Sequence, residues 1–387
     1  MDSTHFIARK IRFKGRMAIS AIAISFLIII ISVSISAGFR KEIRNGVSSF
    51  AGDIQLTSLS MNYLSEDDPI SSNLSYSGSI ESVEGVESIT PVIYRAGIVK
   101  EEDIIQGIMV KGIPDFQDSS LCISIPSRLS EITGLEQGDR MTVYFIGEKV
   151  KVRRFTITSV YPSIVELNET LIAYTSLEDM QRLNNWSEDE VSALEIGLSD
   201  AFKNGILMEE KADEIGAISL MMAEDTGESL VSTSLIRRYP QLFDWLDLID
   251  FNVFFILILM SIVAGFNMIS GLLILLFQNI ATIGTLKSMG MNDRNIAKVF
   301  LRVSSNLVLK GMAIGNGAAL LFCLIQGTTH FLKLNPANYF VAFVPVSVKI
   351  PMILLANVAA YALIMVLLLI PSIFISRVDP AQTMRVE

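Results

Sequence analysis

Between Phe251 and Leu286 the chain runs 36 residues without a charged side chain. A helix rising about 1.5 Å per residue crosses a hydrocarbon layer roughly 30 Å thick with some 20 apolar residues. The run is longer than one crossing needs, so a span is expected over Phe251–Phe277, with the helix continuing beyond the bilayer. Met17–Phe39 is also uncharged and reads as an uncleaved span, because it exceeds the apolar core of about 7–15 residues usual in a signal peptide. Two further spans are expected at 299–332 and 350–376, the last bent by Pro371. With 51% hydrophobic and 18% charged residues, the composition is that of a membrane protein with a sizeable soluble part.

Charge divides the chain. Residues 39–250 hold 17 basic and 36 acidic side chains, a net −19, whereas the remainder holds 14 and 4, a net +10. Basic residues near span ends mark the cytoplasmic side. Both termini are therefore expected inside and an acidic domain, 40–250, outside. That acidity excludes nucleic acid as a partner, since nucleic-acid binding needs a basic footprint. The first 16 residues, with Phe6, Ile7 and Ile11 among Arg9, Lys10, Arg12, Lys14 and Arg16, suit a cytoplasmic amphipathic helix on the membrane surface. A plain basic lead without a helix fits the same residues. The last stretch, 377–387, is expected as a cytoplasmic tail, and 333–349 as a short outer loop.

The soluble insertion reads as α+β. Strands are expected at Asp53–Thr57, Ile89–Ile93, Gly97–Val99, Ile104–Val110, Met141–Ile146, Val150–Val160 and Leu171–Tyr174. Helices are expected at Ile125–Ser130, Leu177–Leu183, Phe202–Met208 and Leu230–Leu248. Two acidic, polar stretches, Ser60–Ser79 and Asn184–Glu190, read as mobile surface.

Little here supports catalysis. The insertion contains no His to activate a nucleophile. Its acid runs, Glu66/Asp67/Asp68 and Glu101/Glu102/Asp103, read as solvated surface. His5 and His330 lie near opposite ends, and Cys122 and Cys323 fall in different compartments, so neither a metal site nor a disulfide framework is expected. No GxxxxGK[ST] occurs, so no P-loop is present and no cofactor is implied. Within the spans, Ser261, Gly265, Gly311 and Gly315 have the small-residue spacing that lets helices approach closely in lipid. Asn267, polar at membrane depth, is expected to face a protein partner. Lys310 is placed to snorkel to the cytoplasmic headgroups.

The segment 278–298 between the second and third spans carries Lys287, Arg294 and Lys298 against one acid, Asp293. Its apolar residues Ile280, Ile283, Leu286 and Met289 recur every third position and suggest a short helix with one apolar face, ended by Gly290. Asp293 or Asn292 is placed to cap the next helix. A docking helix and an ordinary basic loop both fit this pattern.

The order of these features resembles the FtsX-like/MacB-like permeases of ABC transporters, and most nearly the lipoprotein-releasing permeases of the LolC/LolE type. The likeness rests on FIARKIRFKGRMAISAIAIS, GFRKEIRNGVSSFAGDIQL, IPSRLSEITGLEQGDRMTVYF, FTITSVYPSIVELNETLIAYTSLEDMQRL, NYFVAFVPV and DPAQTMRVE. Its most specific part is IGTLKSMGMNDRNIAKVF, which resembles that family's ATPase-coupling segment. The resemblance implies four transmembrane α-helices with a large α+β periplasmic domain between the first and second, built of porter-like and sabre-like lobes. An inserted lobe is expected near 106–176. It also implies that Ile283, Gly284, Leu286, Lys287, Met289, Gly290 and Met291, with Arg294, contact a cytoplasmic ABC ATPase dimer. On that reading Leu286→Asp or Met289→Asp leaves the fold intact and uncouples the protein.

By the same resemblance the partners are the ATPase, a second permease copy or paralogue, membrane lipid, lipoprotein cargo and a periplasmic lipoprotein chaperone. The location is the inner membrane of a Gram-negative-type bacterium. The chain itself is expected to be a transporter permease, not an enzyme, and to extract lipoproteins for transfer toward the outer membrane. The alternative is a mechanotransmitting permease that regulates a cell-wall hydrolase or works in an efflux assembly.

Overall fold

The computed structural model describes residues 16–66, 68–101, 103–116, 120–147, 149–162, 171–226, 230–335 and 339–372. The expected N-terminal amphipathic helix and cytoplasmic tail, and the acids Asp67 and Glu102, lie outside them. The chain divides into two compact units. One comprises residues 1–41, 245–333 and 343–387, and the other 42–244 and 334–342.

The first unit is built on four long helices, α1 (Arg16–Ala51), α7 (Pro240–Gln278), α9 (Asp293–Thr329) and α10 (Ile350–Leu367). Each is long and apolar enough to cross a membrane. They bury matching stripes: Ile22, Phe26, Ile29 and Ile30 of α1, Ala264, Met268, Leu272 and Leu275 of α7, Val299, Phe300 and Val308 of α9, and Ala356, Ala360 and Ile364 of α10. The three- and four-residue spacing keeps each stripe on one helix face. α10 stops at Leu367 and a short α11 (Leu369–Ser372) follows. Pro371 accounts for the break, because its ring clashes with the carbonyl four residues earlier, that of Leu367.

Helix packing in this unit depends on absent side chains. A Cβ on Gly315 would fall 2.3 Å from the Ala23 carbonyl oxygen, and one on Gly311 would fall 2.7 Å from Ile22 Cγ2. The pair therefore lets α9 lie directly on α1. Gly265 does the same for α7 and α10, where a Cβ would meet Leu367 Cδ1 at 2.4 Å. Ser261 is buried and returns its hydroxyl to Leu257 O at 2.6 Å. Asn316 and Asn357 bond across α9 and α10 at 3.0 Å, and Asn267 lies exposed on the unit's outer surface.

The second unit is α+β. Its nine-stranded sheet has the order β11-β1-β10-β3-β4-β8-β5-β7-β6. The strands are β1 (Ile54–Ser58), β3 (Val86–Glu101), β4 (Ile104–Ile113), β5 (Cys122–Pro126), β6 (Arg140–Phe145), β7 (Lys151–Tyr161), β8 (Ile172–Ser176), β10 (Ala193–Leu198) and β11 (Leu230–Ser234). The 16-residue β3 serves both halves: Val86–Val92 pairs with β10, and Ile93–Glu101 pairs with β4. Gly97–Val99 also pairs with β6, which closes β3-β4-β8-β5-β7-β6 into a ring of six strands. The ring is filled by Val99, Val110, Ile123, Met141, Val143, Phe145, Phe155 and Ile157, all buried.

Several expectations change. Ile89–Ile93 and Gly97–Val99 belong to one strand. Leu230–Leu248 is not one helix: Leu230–Ser234 pairs with β1, Ser234 caps the short α6 (Leu235–Arg238), and Pro240 opens α7. A Ser/Thr-rich strand followed by a Ser cap and a helix-starting Pro explains the division. The helix expected from Ile125 starts at Ser127, because Pro126 still belongs to β5; this is α3 (Ser127–Thr133). The helix expected at Phe202 starts at Gly205, after Asn204 Oδ1 accepts from the Leu207 N–H; this is α5 (Gly205–Thr226).

The stretches read as mobile surface are packed. Ile70, Leu74 and Tyr76 are buried, and the Tyr76 hydroxyl bonds that of Ser219. β2 (Ile70–Ser71) pairs with β9 (Glu190–Val191), and Trp186 donates to Glu66 O at 3.0 Å. The remaining helices are α2 (Ser77–Glu81) and α4 (Leu177–Asn184).

Candidate coupling surface

The helix α8 (Ile280–Ser288) follows α7 after a break at Asn279, whose side-chain amide donates to Leu275 O at 2.8 Å. It ends where Gly290 adopts φ 86°, with the Gly290 N–H on Lys287 O and the Met291 N–H on Leu286 O. Gly takes that left-handed conformation at little steric cost. Asn292, extended, precedes α9 without a side-chain cap bond. Asp293 is the first residue of α9, and its carboxylate pairs with Lys287 Nζ at 2.9 Å across the turn.

The apolar residues at every third position do not share a face. Ile283 is fully buried and Leu286 packs on the bundle core, whereas Met289 is 78% exposed and Ile280 37%. A helix turns about 100° per residue, so steps of three drift by about 60° each, and three steps carry the stripe to the opposite side. The exposed face instead comprises Ala281, Thr282, Thr285, Ser288 and Met289. Gly284 is buried and Met291 is half-buried against the core.

Of the eight residues expected at an ATPase contact, only Met289, Gly290 and Arg294 are exposed. Ile283, Gly284, Leu286 and Met291 hold α8 on the bundle, and Lys287 ties α8 to α9. Leu286→Asp therefore places a charge against the core and does not leave the packing intact. Thr282, Thr285 and Ser288 share the exposed face that the 3.6-residue helical period sets. On the first turns of α9, Arg294, Lys298 and Arg302 are exposed at four-residue spacing and form a cationic row.

The second unit has its own polar centre. Lys111 of β4 donates to Glu195 Oε2 at 2.8 Å and to Phe50 O at 2.7 Å, in the last turn of α1. The Tyr94 hydroxyl and Gln55 Nε2 reach Glu195 Oε1. A cation at carbonyls of a helix C-terminus also meets the negative end of the helix dipole. Burial pulls the Lys111 ammonium below the usual lysine range, against the opposing pull of Glu195. Burial, reinforced by Glu195, pushes Tyr94 well above the usual phenol range. Asp53 accepts from Ser48 Oγ at 2.7 Å and from the Leu198 N–H at 2.8 Å. Lys111, Glu195, Tyr94 and Asp53 are all buried and hydrogen-bonded, so the centre fixes strand ends.

Residues 254–380 match the family described as FtsX-like permease C-terminal. That match covers α10 and α11, all of α8 and α9, and α7 from residue 254 onward. Along almost its whole length the chain is also similar to LolC. It is 22% identical to the lipoprotein-releasing system transmembrane protein LolC of Xylella fastidiosa (strain 9a5c), covering 97% of this chain and 95% of that one. The same identity relates it to LolC of Neisseria meningitidis serogroup B, with 97% and 94% covered. LolE of Haemophilus influenzae is 24% identical over 55% of this chain and half of its own length. Among solved structures, the extracellular domain of the ABC-type transporter YknZ from Gram-positive bacteria has 10% identity and a TM-score of 0.30. It covers 47% of this chain and 99% of that one. The periplasmic region of MacB from Actinobacillus actinomycetemcomitans has 14% identity and a TM-score of 0.29, covering 48% and 91%.

Proposed function

We propose that the chain is the permease subunit of an ABC transporter that uses ATP hydrolysed by a separate subunit to extract lipoproteins from the inner membrane. Similarity to LolC along 97% of the chain supports the cargo class. The observation that carries the coupling reading is the outward face of α8, which combines Thr282, Thr285 and Ser288 with the apolar tip Met289 and borders the cationic row of α9. That mixture, between two spans and on the basic side of the charge split, suits a cytoplasmic protein partner.

In this reading the ATPase docks on α8, and Ile283, Leu286 and Met291 pass its displacement to the bundle through their packing. The acidic domain lies in the periplasm, where released cargo meets its acceptor. A second permease, a copy or a paralogue, completes the membrane assembly and receives Asn267. Lifting acyl chains costs about 0.8 kcal/mol per methylene removed from an apolar setting, which is why ATP must be coupled unless the acceptor buries the chains equally well.

The experiment is purification in mild detergent with identification of the accompanying proteins and lipidated peptides, paired with depletion in the cell. A P-loop ATPase and lipoprotein should accompany the chain, and depletion should retain lipoproteins in the inner membrane. Normal lipoprotein sorting after depletion contradicts the cargo assignment, and a cell-wall hydrolase in place of lipoprotein favours the mechanotransmitting alternative.

A further inference from the structure

The close seating of α9 on α1 leaves an open groove of about 400 Å³ beside the contact. Its floor is made of small residues, Ser20 and Ala23 of α1 with Gly315 and Ala318 of α9, and longer side chains such as Ile24, Leu27 and Ile314 wall it. Its lining runs along α1 from Arg16 to Leu27, eleven helical rises or about 16 Å. That matches one leaflet, half of a hydrocarbon core roughly 30 Å thick. An apolar groove of this kind excludes water and takes hydrocarbon.

One end of the groove is cationic. Arg16 lines it, and exposed Lys310 lies one turn before Ile314 on α9. Neither forms an ion pair among the described residues. The opposite end carries no charge. A helix from a second protein would meet two cations at the mouth, whereas a lipid with a negative headgroup would satisfy both the charge and the apolar channel.

We infer that the α1–α9 groove is a binding site for one acyl chain of an anionic phospholipid, with Arg16 and Lys310 holding its phosphate-bearing headgroup. The length of the groove confines that lipid to the leaflet at the Arg16 end. The inference does not depend on the ATPase or on the cargo, so it stands or falls separately from the proposed function.

The test uses the full chain carrying Ile314→Trp, reconstituted in phosphatidylcholine vesicles that contain brominated phosphatidylglycerol or, in parallel, brominated phosphatidylcholine. Fluorescence is corrected for the native tryptophans with the chain lacking the added one. Quenching by the brominated phosphatidylglycerol should be several-fold stronger at equal mole fraction. Arg16→Gln with Lys310→Gln should reduce that preference to about onefold, while Lys333→Gln, past the far end of α9, should leave it. Equal quenching by the two lipids before the charges are removed overturns the site, since bulk lipid alone would then fill the groove. Protection from both quenchers also overturns it, because a second protein helix would then occupy the groove. Loss of the preference in Lys333→Gln as well would show a general attraction to the charged surface and overturn it equally.

Discussion

Lys111 donates to Glu195 at 2.8 Å with both side chains buried, and the same ammonium reaches the Phe50 carbonyl in the last turn of α1. The strand β4, the strand β10 and the end of a long helix thus share one cation. Removing a single member of such a pair leaves an uncompensated buried charge, which costs about 3–5 kcal/mol, whereas removing both costs much less. Lys111→Met should destabilise the second unit by about that amount. Lys111→Met with Glu195→Gln should recover a good part of it. Denaturant unfolding followed by circular dichroism measures both, and a single variant as stable as the native chain would show that the pair contributes nothing.

Gly315 and Gly317 stand two residues apart in α9 but meet different surroundings. A Cβ at position 315 would lie 2.3 Å from a backbone oxygen of α1, whereas one at position 317 meets nothing within 4 Å. Gly315→Ala should therefore force α1 and α9 apart at about 1–3 kcal/mol. Gly317→Ala should be neutral or mildly stabilising, because Ala is the better helix former. Thermal melts in detergent should rank the two in that order, and equal melting temperatures would contradict the close contact.

The rings of Tyr161 on β7 and Tyr174 on β8 meet at 5.4 Å, tilted by 53°. Burial, with the neighbouring tyrosine, pushes Tyr161 far up; burial, with the charge of Glu195, pushes Tyr174 to about 12. A folded-state value above the unfolded one means that the native protein binds more protons as pH passes the ordinary phenol value of 10. Stability from these groups is complete below that pH and is lost above it, by up to ~1.4 kcal/mol per pH unit for each tyrosine. Lys111 acts in the opposite sense, but only below its ordinary 10.5. Tyr161→Phe should make the alkaline loss of stability shallower, as unfolding free energies across that pH range would show. An unchanged slope would mean that Tyr161 ionises as freely in the folded protein as in the unfolded one.

The four long helices were legible because membrane spans announce themselves in one dimension: length and absence of charge suffice. The glycines at 265, 311 and 315 were legible for the same reason, since small residues at helical spacing have few other uses in lipid. The second unit was harder. β10 escaped notice because Glu195 and Gly197 interrupt its apolar pattern, and Glu195 points inward only because Lys111, 84 residues earlier, meets it. Leu230–Ser234 looked like the start of α7 until its pairing with β1 was known, and pairing is a long-range fact. At α8 the sequence disclosed a short helix but not its orientation. Three-residue spacing suggested one apolar face, and the bundle took its middle, leaving Met289 and the threonines outside.

The central claim is that the outward face of α8 receives the ATPase. It is tested most directly by comparing Met289→Asp with Leu286→Asp for membrane insertion, folding and co-purification of a P-loop ATPase. Leu286 packs on the bundle core, so its variant should insert poorly or unfold. Met289 is exposed, so its variant should fold and insert normally yet lose the ATPase and release no cargo. A Met289→Asp chain that retains the ATPase and releases lipoprotein at the native rate would contradict the account.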